Sequence, residues 1–590
     1  MKKIFSFLII FLLFASLCFA TNAVFYSLSL YGTGDIKTGS PTLTISSGVA
    51  TLTVEQTNNI GVGCCIDFDP NNTLIYIAPN RLGFDSGGTT EIEVNTKIED
   101  ATSGATGLVR AIEVTSGAWA SGDAAGYIYF SKITGTWGDD HQINRVKPSS
   151  SSDLATVNGT LQGNIGSGNT QFVVKQADGS DAANVGSSET VNSIHHEYAS
   201  LSAYEAGFTD ADHIADTDLT NADVVAYACC YYDHDDYTAD TTALTINFGT
   251  IGASNYLHIF TPTGEAESIN NQRHSGYWDT NKYRVEHNYT GISCAESYTR
   301  FEGLQHKFTN ASVNSRSGFV FYDYNVIWDN IFIGNATSTG AIIGLYAWNT
   351  GFTDIQIYNN IIYDFINDST SSYALYVIID ATNYVYNNTI HNCYYAINNN
   401  APGKAFVVKN NLINDCNTNF LGADLSANST HNVINGTISE GAFGVTYCSD
   451  TTDGDGSGIG KLIDTADGDF INDDIQVGSI VAYDAGPSYT YVTAIDSATQ
   501  LSVDTGIGNG IVYTIYTNMY GSAIFKNEGG DNFHLDPTDT AANNKGINLS
   551  TDANLSIWDD IDSDERASDV GADEYLDVTP SPQLLTIQVN

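Results

Sequence analysis

From about residue 298 to about residue 435, short runs of alternating apolar and polar residues each end on a polar or glycine corner, after which apolar residues resume. Five segments align on this pattern: Tyr298-Thr-Arg-Phe-Glu-Gly-Leu304, Val326-Ile-Trp-Asp-Asn-Ile-Phe332, Gln356-Ile-Tyr-Asn-Asn-Ile-Ile362, Tyr384-Val-Tyr-Asn-Asn-Thr-Ile390 and Val407-Val-Lys-Asn-Asn-Leu-Ile413. With Gly303, Asn330, Asn360, Asn388 and Asn411 taken as equivalent, the spacings are 27, 30, 28 and 23 residues. A fainter sixth copy sits at His431-Asn432-Val433-Ile434. Alternation with period two predicts strands with one buried face. A repeat whose length wanders while its motif persists predicts a solenoid, in which no unit buries its apolar face alone.

The doubled asparagine suits the corner between two strands, because asparagine tolerates positive φ. One of the two can point inward and bond its equivalent in the next coil, about 4.8 Å away. Such a ladder satisfies amides that would otherwise be buried without partners. Cys393 and Cys416 each follow the second asparagine of their copy by five residues, which predicts one inward stack of reduced thiols.

Helix signals are sparse. The best is Tyr198–Phe208, where Ser200 is placed to cap a short segment that Gly207 ends. Residues 86–185 are rich in Gly, Ser and Thr and contain an echo, Thr115–Asp123 against Thr134–Asp140, each with one tryptophan. Residues 441–520 carry hairpin-like strands at Val477–Tyr483, Tyr491–Ile495 and Gln500–Val503. The expected organisation is a signal segment (1–20), an N-terminal β segment or cap (21–85), a β insertion (86–185), a parallel β-helix (190–440), a second β-module (441–520), a closing segment (521–575) and a tail (576–590).

The repeated Tyr-Asn-Asn-Ile, Tyr-Asn-Asn-Thr-Ile and Lys-Asn-Asn-Leu-Ile segments resemble those of the pectin-lyase-like right-handed β-helix proteins. Further on, Asn532–Asp536, Gly546-Ile-Asn548, Asp560–Arg566 and Asp569–Tyr575 resemble the closing segment of secreted bacterial β-helix proteins of the choice-of-anchor type. The chain departs from that pattern at Thr540–Gly546, and no sorting signal follows Tyr575. The resemblance implies an all-β, right-handed parallel β-helix with small β-module insertions, and export.

The start of the chain agrees with export. Lys2 and Lys3 precede an apolar run from Ile4 to Cys18, and Cys18-Phe-Ala20 reads as a cleavage site. No later segment approaches the twenty or so apolar residues of a membrane span. The formal net charge is −46, and loss of Lys2 and Lys3 makes it more negative still. That excludes nucleic-acid binding by phosphate neutralisation, which needs clustered Lys and Arg. Eight cysteines remain beyond the signal, too few for a disulfide scaffold and without metal-binding spacing. The adjacent pairs Cys64-Cys65 and Cys229-Cys230 are expected on strands, with one member of each buried.

Catalytic motifs of the polygalacturonase-like hydrolases are absent from the sequence. A lyase base would have to come from Arg300, Lys307, Arg316, Lys404 or Lys409, each of which reads more simply as a surface residue. Two sets of carboxylates are candidate Ca²⁺ ligands. One is Asp453 and Asp455 with Asp464, at EF-hand-like spacing; the other is Asp560, Asp562 and Asp564, near Arg566, Asp569 and Asp573. Trp328, Trp348, Tyr363, Tyr394 and Tyr395 are candidate sugar-stacking rings, whereas His195, His196, His213 and His306 show no metal-ligand spacing and read as structural or surface residues. The expected function is an exported, extracellular or surface glycan-binding or adhesive module. A carbohydrate-active enzyme, lyase more than hydrolase, and a structural surface protein without a small-molecule site are the alternatives.

Overall fold

The computed structural model describes residues 22–573, except 71–72, 233–237, 288–290, 310–317, 335–341, 348–353, 367–371, 379–381, 401–405, 423–424, 427, 437–444, 467, 474, 485–487, 563 and 567. The signal segment, Arg316, Trp348, Lys404, Tyr575 and the 576–590 tail lie outside the described residues.

The chain winds into a parallel β-helix with three sheets. The first has eight strands: Asn22–Leu28, Val224–Cys230, Leu257–Phe260, Arg300–Glu302, Val326–Trp328, Ile355–Tyr358, Asn383–Tyr386 and Phe406–Lys409. All of its pairings are parallel. A second sheet runs from Leu244–Ile246 to Thr418–Gly422, and a third runs from Val285–His287 through Val433–Ile434 and on into Val512–Tyr520 of the later module. Inward residues of successive rungs, such as Phe301, Ile327, Ile357, Val385 and Val408, stack in one continuous core.

The corner between the first and third sheets explains the doubled asparagines. The first residue of each pair takes a left-handed backbone: φ is 55° at Asp329, 54° at Asn359 and Asn387, and 53° at Asn410. The second points inward. Asn330 Nδ2 donates to Asn360 Oδ1 at 3.1 Å, and Asn360, Asn388 and Asn411 each donate to the next asparagine at 2.9 Å. Asn432 continues the line and donates to Asn518 at 3.0 Å. Asn518 sits 86 residues further along, in the last strand of the 441–520 module, Val512–Tyr520, so its membership is invisible as a repeat.

One equivalence is corrected. Arg300, Phe301 and Glu302 pair with Val326, Ile327 and Trp328, and Leu304 N donates to Asn330 Oδ1. Leu304, not Gly303, therefore occupies the ladder position. Gly303 takes the left-handed corner at φ 70°, which an asparagine or aspartate fills in later coils.

Asn22–Leu28 is the first rung of the first sheet, and the chain then leaves that sheet until Val224. In that excursion Thr42–Ser46, Val49–Leu52, Cys65–Phe68, Thr73–Ala78, Gln171–Lys175 and Val185–His195 close one antiparallel barrel. A second barrel of six strands, from Arg81–Asp85 to Ser151–Val157, is inserted in a connection of the first. The stretch 86–185 is thus not one module: it holds most of the second barrel and part of the first. The echoed Trp119 and Trp137 both pack in the second barrel's core.

The first barrel lies on the outer face of the solenoid's first strands. Phe25, Tyr227 and Cys229 belong to its core, while Tyr26, Ala228 and Cys230 face the solenoid core. The same division separates Cys64 from Cys65. The expectation of one buried member per cysteine pair is therefore corrected: the members do face opposite ways, but both faces are covered and all four thiols are buried. Cys393 and Cys416 are buried in the solenoid core as free thiols.

The short helix forms as Leu201–Gly207, with Ser200 Oγ accepting from Ala203 N. The later insertion forms an antiparallel module that includes Ser479–Tyr483, Ser488–Ser497 and Gln500–Val503. Among the described residues no helix is long and apolar enough to cross a membrane. From about residue 536 the chain runs along the flank of the solenoid. Asn410 Nδ2 donates to Ile547 O, and Asn359 Nδ2 donates to Asp559 O. Leu549, Leu555 and Ile557 pack on Tyr386 and Val407, and the Trp558 indole donates to Asn95 O on the second barrel.

Candidate functional site

The second barrel, the outer face of the first sheet, the loop after Leu257–Phe260 and the C-terminal segment meet around a cleft of about 360 Å³. Its walls include Arg110, Lys132, Arg273, His274, Glu302 and Asp562. A smaller chamber of about 50 Å³ shares Arg110, Arg273 and Glu302, and extends past Trp328, Asp329 and Tyr358 to Asp559.

Glu302 is central. It ends a first-sheet strand, and its side chain points outward because Phe301 before it points in. Arg110 Nη1 and Nη2 hold its two oxygens at 2.6 and 3.2 Å, and Arg273 Nη2 bonds the same carboxylate. His258 Nε2 lies 2.9 Å from Glu302 Oε2. Arg110 Nε also donates to Glu267 at 2.5 Å, and its guanidinium covers the Phe260 ring. Burial opposes the charge on Glu302, yet the two guanidiniums hold its carboxyl well below the usual range.

The neighbouring acids shift the other way. Burial raises Asp329 well above an ordinary aspartate, and the Asp559 carboxylate adds to that shift. Burial pushes Asp559 up to about 7. Several polar atoms here are buried without a well-aligned partner, among them Asp329 Oδ1, Arg273 Nε, His274 Nε2 and Asp562 Oδ1.

The predicted calcium ligands do not assemble as two clusters. Asp453 accepts from Thr465 N and Oγ1, Asp455 accepts from Ser457 N and Oγ, and Asp464 accepts from the Tyr513 hydroxyl. Each carboxylate serves its own turn or packing contact, and among the described residues the three do not meet as ligands. Asp560 Oδ1 accepts the backbone N–H groups of Asp562 and Asp564, and Asp564 is exposed. Asp562 turns away from both, to His534 and Asp573. Arg566 Nη2 donates to the carbonyls of Asp569 and Gly571.

The solenoid cations are also engaged. Lys409, expected at the surface, pairs with Asp552 at 2.5 Å under the C-terminal segment. Arg300 lies over Tyr256 and Lys307 over Trp278. Of the candidate rings, Trp328 and Tyr363 are buried and Trp328 lines the smaller chamber. Tyr395 is half-buried and stacks face to face on Tyr373, which stacks on Tyr376, so these rings spend their faces on each other. His196 and His306 are buried, the latter stacked on Phe332.

Arg110, Arg273, Glu302, Asp329, Asp559 and His274 were not singled out as a site by sequence. Only Glu302 and Asp329 carry a signal, as the residues before and at a repeat corner. The fold and the cleft define a parallel β-helix protein with barrel insertions that wall one polar cleft. No family model, no curated protein and no solved structure matches the chain.

Proposed function

We propose that this is an exported β-helix protein that binds an extracellular or cell-surface glycan in the cleft between the second barrel and the first sheet. The observation that carries this reading is the set of buried polar atoms without well-aligned partners on the cleft walls, among them Asp329 Oδ1, Arg273 Nε and His274 Nε2. Buried polar groups are costly unless satisfied, and a hydroxyl-rich ligand offers both donors and acceptors. The volume suits one or two sugar residues. A strongly negative chain disfavours polyanions, so neutral glycans fit better than polyuronates. Calorimetric titration with a panel of neutral and uronic oligosaccharides tests it. Saturable binding of a neutral glycan, weakened by Asp329→Asn, is expected; absence of binding across the panel would sink the proposal.

A second reading, a carbohydrate-active enzyme, is favoured by one specific feature. Asp559, raised to about 7, lines the same chamber as Glu302, whose carboxyl is held low, and carboxyls pushed apart in this way are what glycoside hydrolysis uses. The two arginines of the cleft, Arg110 and Arg273, are held by carboxylates and are poor lyase bases. Within this reading hydrolysis therefore fits better than elimination. New reducing ends that vanish in Asp559→Asn would establish it, and unsaturated products would favour the lyase instead.

A further inference from the structure

At the rim of the cleft, His534 Nε2 and carboxylate oxygens of Asp562 and Asp573 lie within 4.8 Å of one another. His534 Nε2 is 2.8 Å from Asp562 Oδ2 and 3.9 Å from Asp573 Oδ1. The other ring nitrogen is committed. Asn532 Oδ1 accepts the backbone N–H of His534 at 3.2 Å, which sets the amide's orientation, and lies 2.5 Å from Nδ1. With Nδ1 donating there, the Nε2 lone pair of a neutral ring faces a carboxylate oxygen, an opposition that a cation between them relieves. Asp573 is fixed as well: one oxygen accepts from Leu535 N at 2.9 Å, leaving the other on the histidine side.

Three independent observations point to an occupant. Asp562 Oδ1 is buried without a partner. His274, only 2 % exposed, lines the same cleft as Asp562; its Nδ1 accepts from Gly276 N, which leaves Nε2–H as a donor that makes no well-aligned bond, with the Asp329 backbone carbonyl close by. Gly276 has φ 67°, and a Cβ there would fall 2.5 Å from His534 Nε2 and 3.0 Å from Asp562 Oδ1. The glycine keeps open a space bounded by both ligand atoms.

We propose that His534, Asp562 and Asp573 hold a divalent transition-metal ion of the Zn²⁺ class, with an open position toward the cleft where His274 Nε2–H donates to a metal-bound water. Three protein ligands and one water is the coordination of reactive rather than purely structural zinc. The imidazole donor favours Zn²⁺ or Co²⁺ over Ca²⁺ and Mg²⁺, which take oxygen ligands. This ion site stands whether or not the cleft takes a glycan. The same geometry would serve a simple imidazolium–aspartate pair, which needs no ion.

Co²⁺ titration of the chelator-treated, signal-cleaved chain separates the two. One equivalent should bind with a visible d–d band, Zn²⁺ should displace it, and the band should be lost in His534→Gln and in Asp562→Asn. On the wild-type protein alone, Zn²⁺ should protect His534 from diethyl pyrocarbonate, read by peptide mass spectrometry, so a misfolded variant does not decide the matter. No binding by the wild type, binding untouched by both substitutions, or protection by Ca²⁺ and not Zn²⁺ would each overturn the proposal.

Discussion

Arg110 of the second barrel clasps Glu302 of the solenoid through two hydrogen bonds of 2.6 and 3.2 Å, across 192 residues of sequence. Both side chains are buried, and Arg273 and Glu267 extend the network on either side. The contact joins two units that the chain builds separately, and it forms the wall shared by the two cleft chambers.

Breaking that contact from one side leaves charge buried without its partner. Glu302→Ala should therefore destabilise the protein by about 3–5 kcal/mol, the range for opening a buried ion pair. Guanidinium unfolding followed by tryptophan fluorescence checks this, since Trp119 and Trp137 report on the second barrel. An unchanged midpoint would mean that the network contributes nothing to the junction.

The two asparagines of one corner should respond unequally to substitution. Asn388 donates to Ile357 O, Tyr386 O and Asn411 Oδ1, and it accepts from Asn360. Asn388→Ala strands several of these groups and should cost at least about 2 kcal/mol. Asn387 beside it supplies φ 54°, and its amide atoms have no partners. Asn387→Gly should be close to neutral, because glycine adopts that conformation freely. Paired thermal melts distinguish the two.

Asp559 gives a pH dependence of known sign. Its folded-state value, about 7, lies above the unfolded 3.8, so the folded chain holds a proton that the unfolded chain releases. The stability linked to this group is complete below about 4 and is lost as pH rises through about 7. Asp559→Asn should flatten that part of the profile. Melting temperature against pH for wild type and variant checks it; parallel curves would show an unshifted Asp559.

The thiols should be silent in the native state. Burial raises Cys393 well above an ordinary thiol, and Cys416 beside it adds to the effect. All described cysteines except the half-buried Cys448 are buried and free. Ellman's reagent should therefore react at most with Cys448 until denaturant is added, and then with every thiol. Rapid native labelling of Cys393 or Cys416 would contradict the stack.

The solenoid was legible in the amino-acid pattern because its contacts are periodic. Each ladder asparagine bonds its own equivalent one coil away, so a local motif and its repeat spacing suffice to place Asn360, Asn388, Asn411 and Asn432 in line. Where periodicity is interrupted, the reading loses accuracy. Gly303 misleads by one position because the first copy of the repeat has leucine in place of the ladder asparagine, and Asn518 is hidden in the last strand of an inserted module. The cleft depended wholly on tertiary structure. Arg110, Glu302 and Asp559 lie on a barrel strand, a solenoid strand and a returning tail, and His274 lines the cleft with Asp562 from yet another loop. Nothing repeats between such residues, so no spacing encodes their meeting. They come together because outward side chains of the first sheet, unlike inward ones, have no partner until the barrels and the C-terminal segment fold over them.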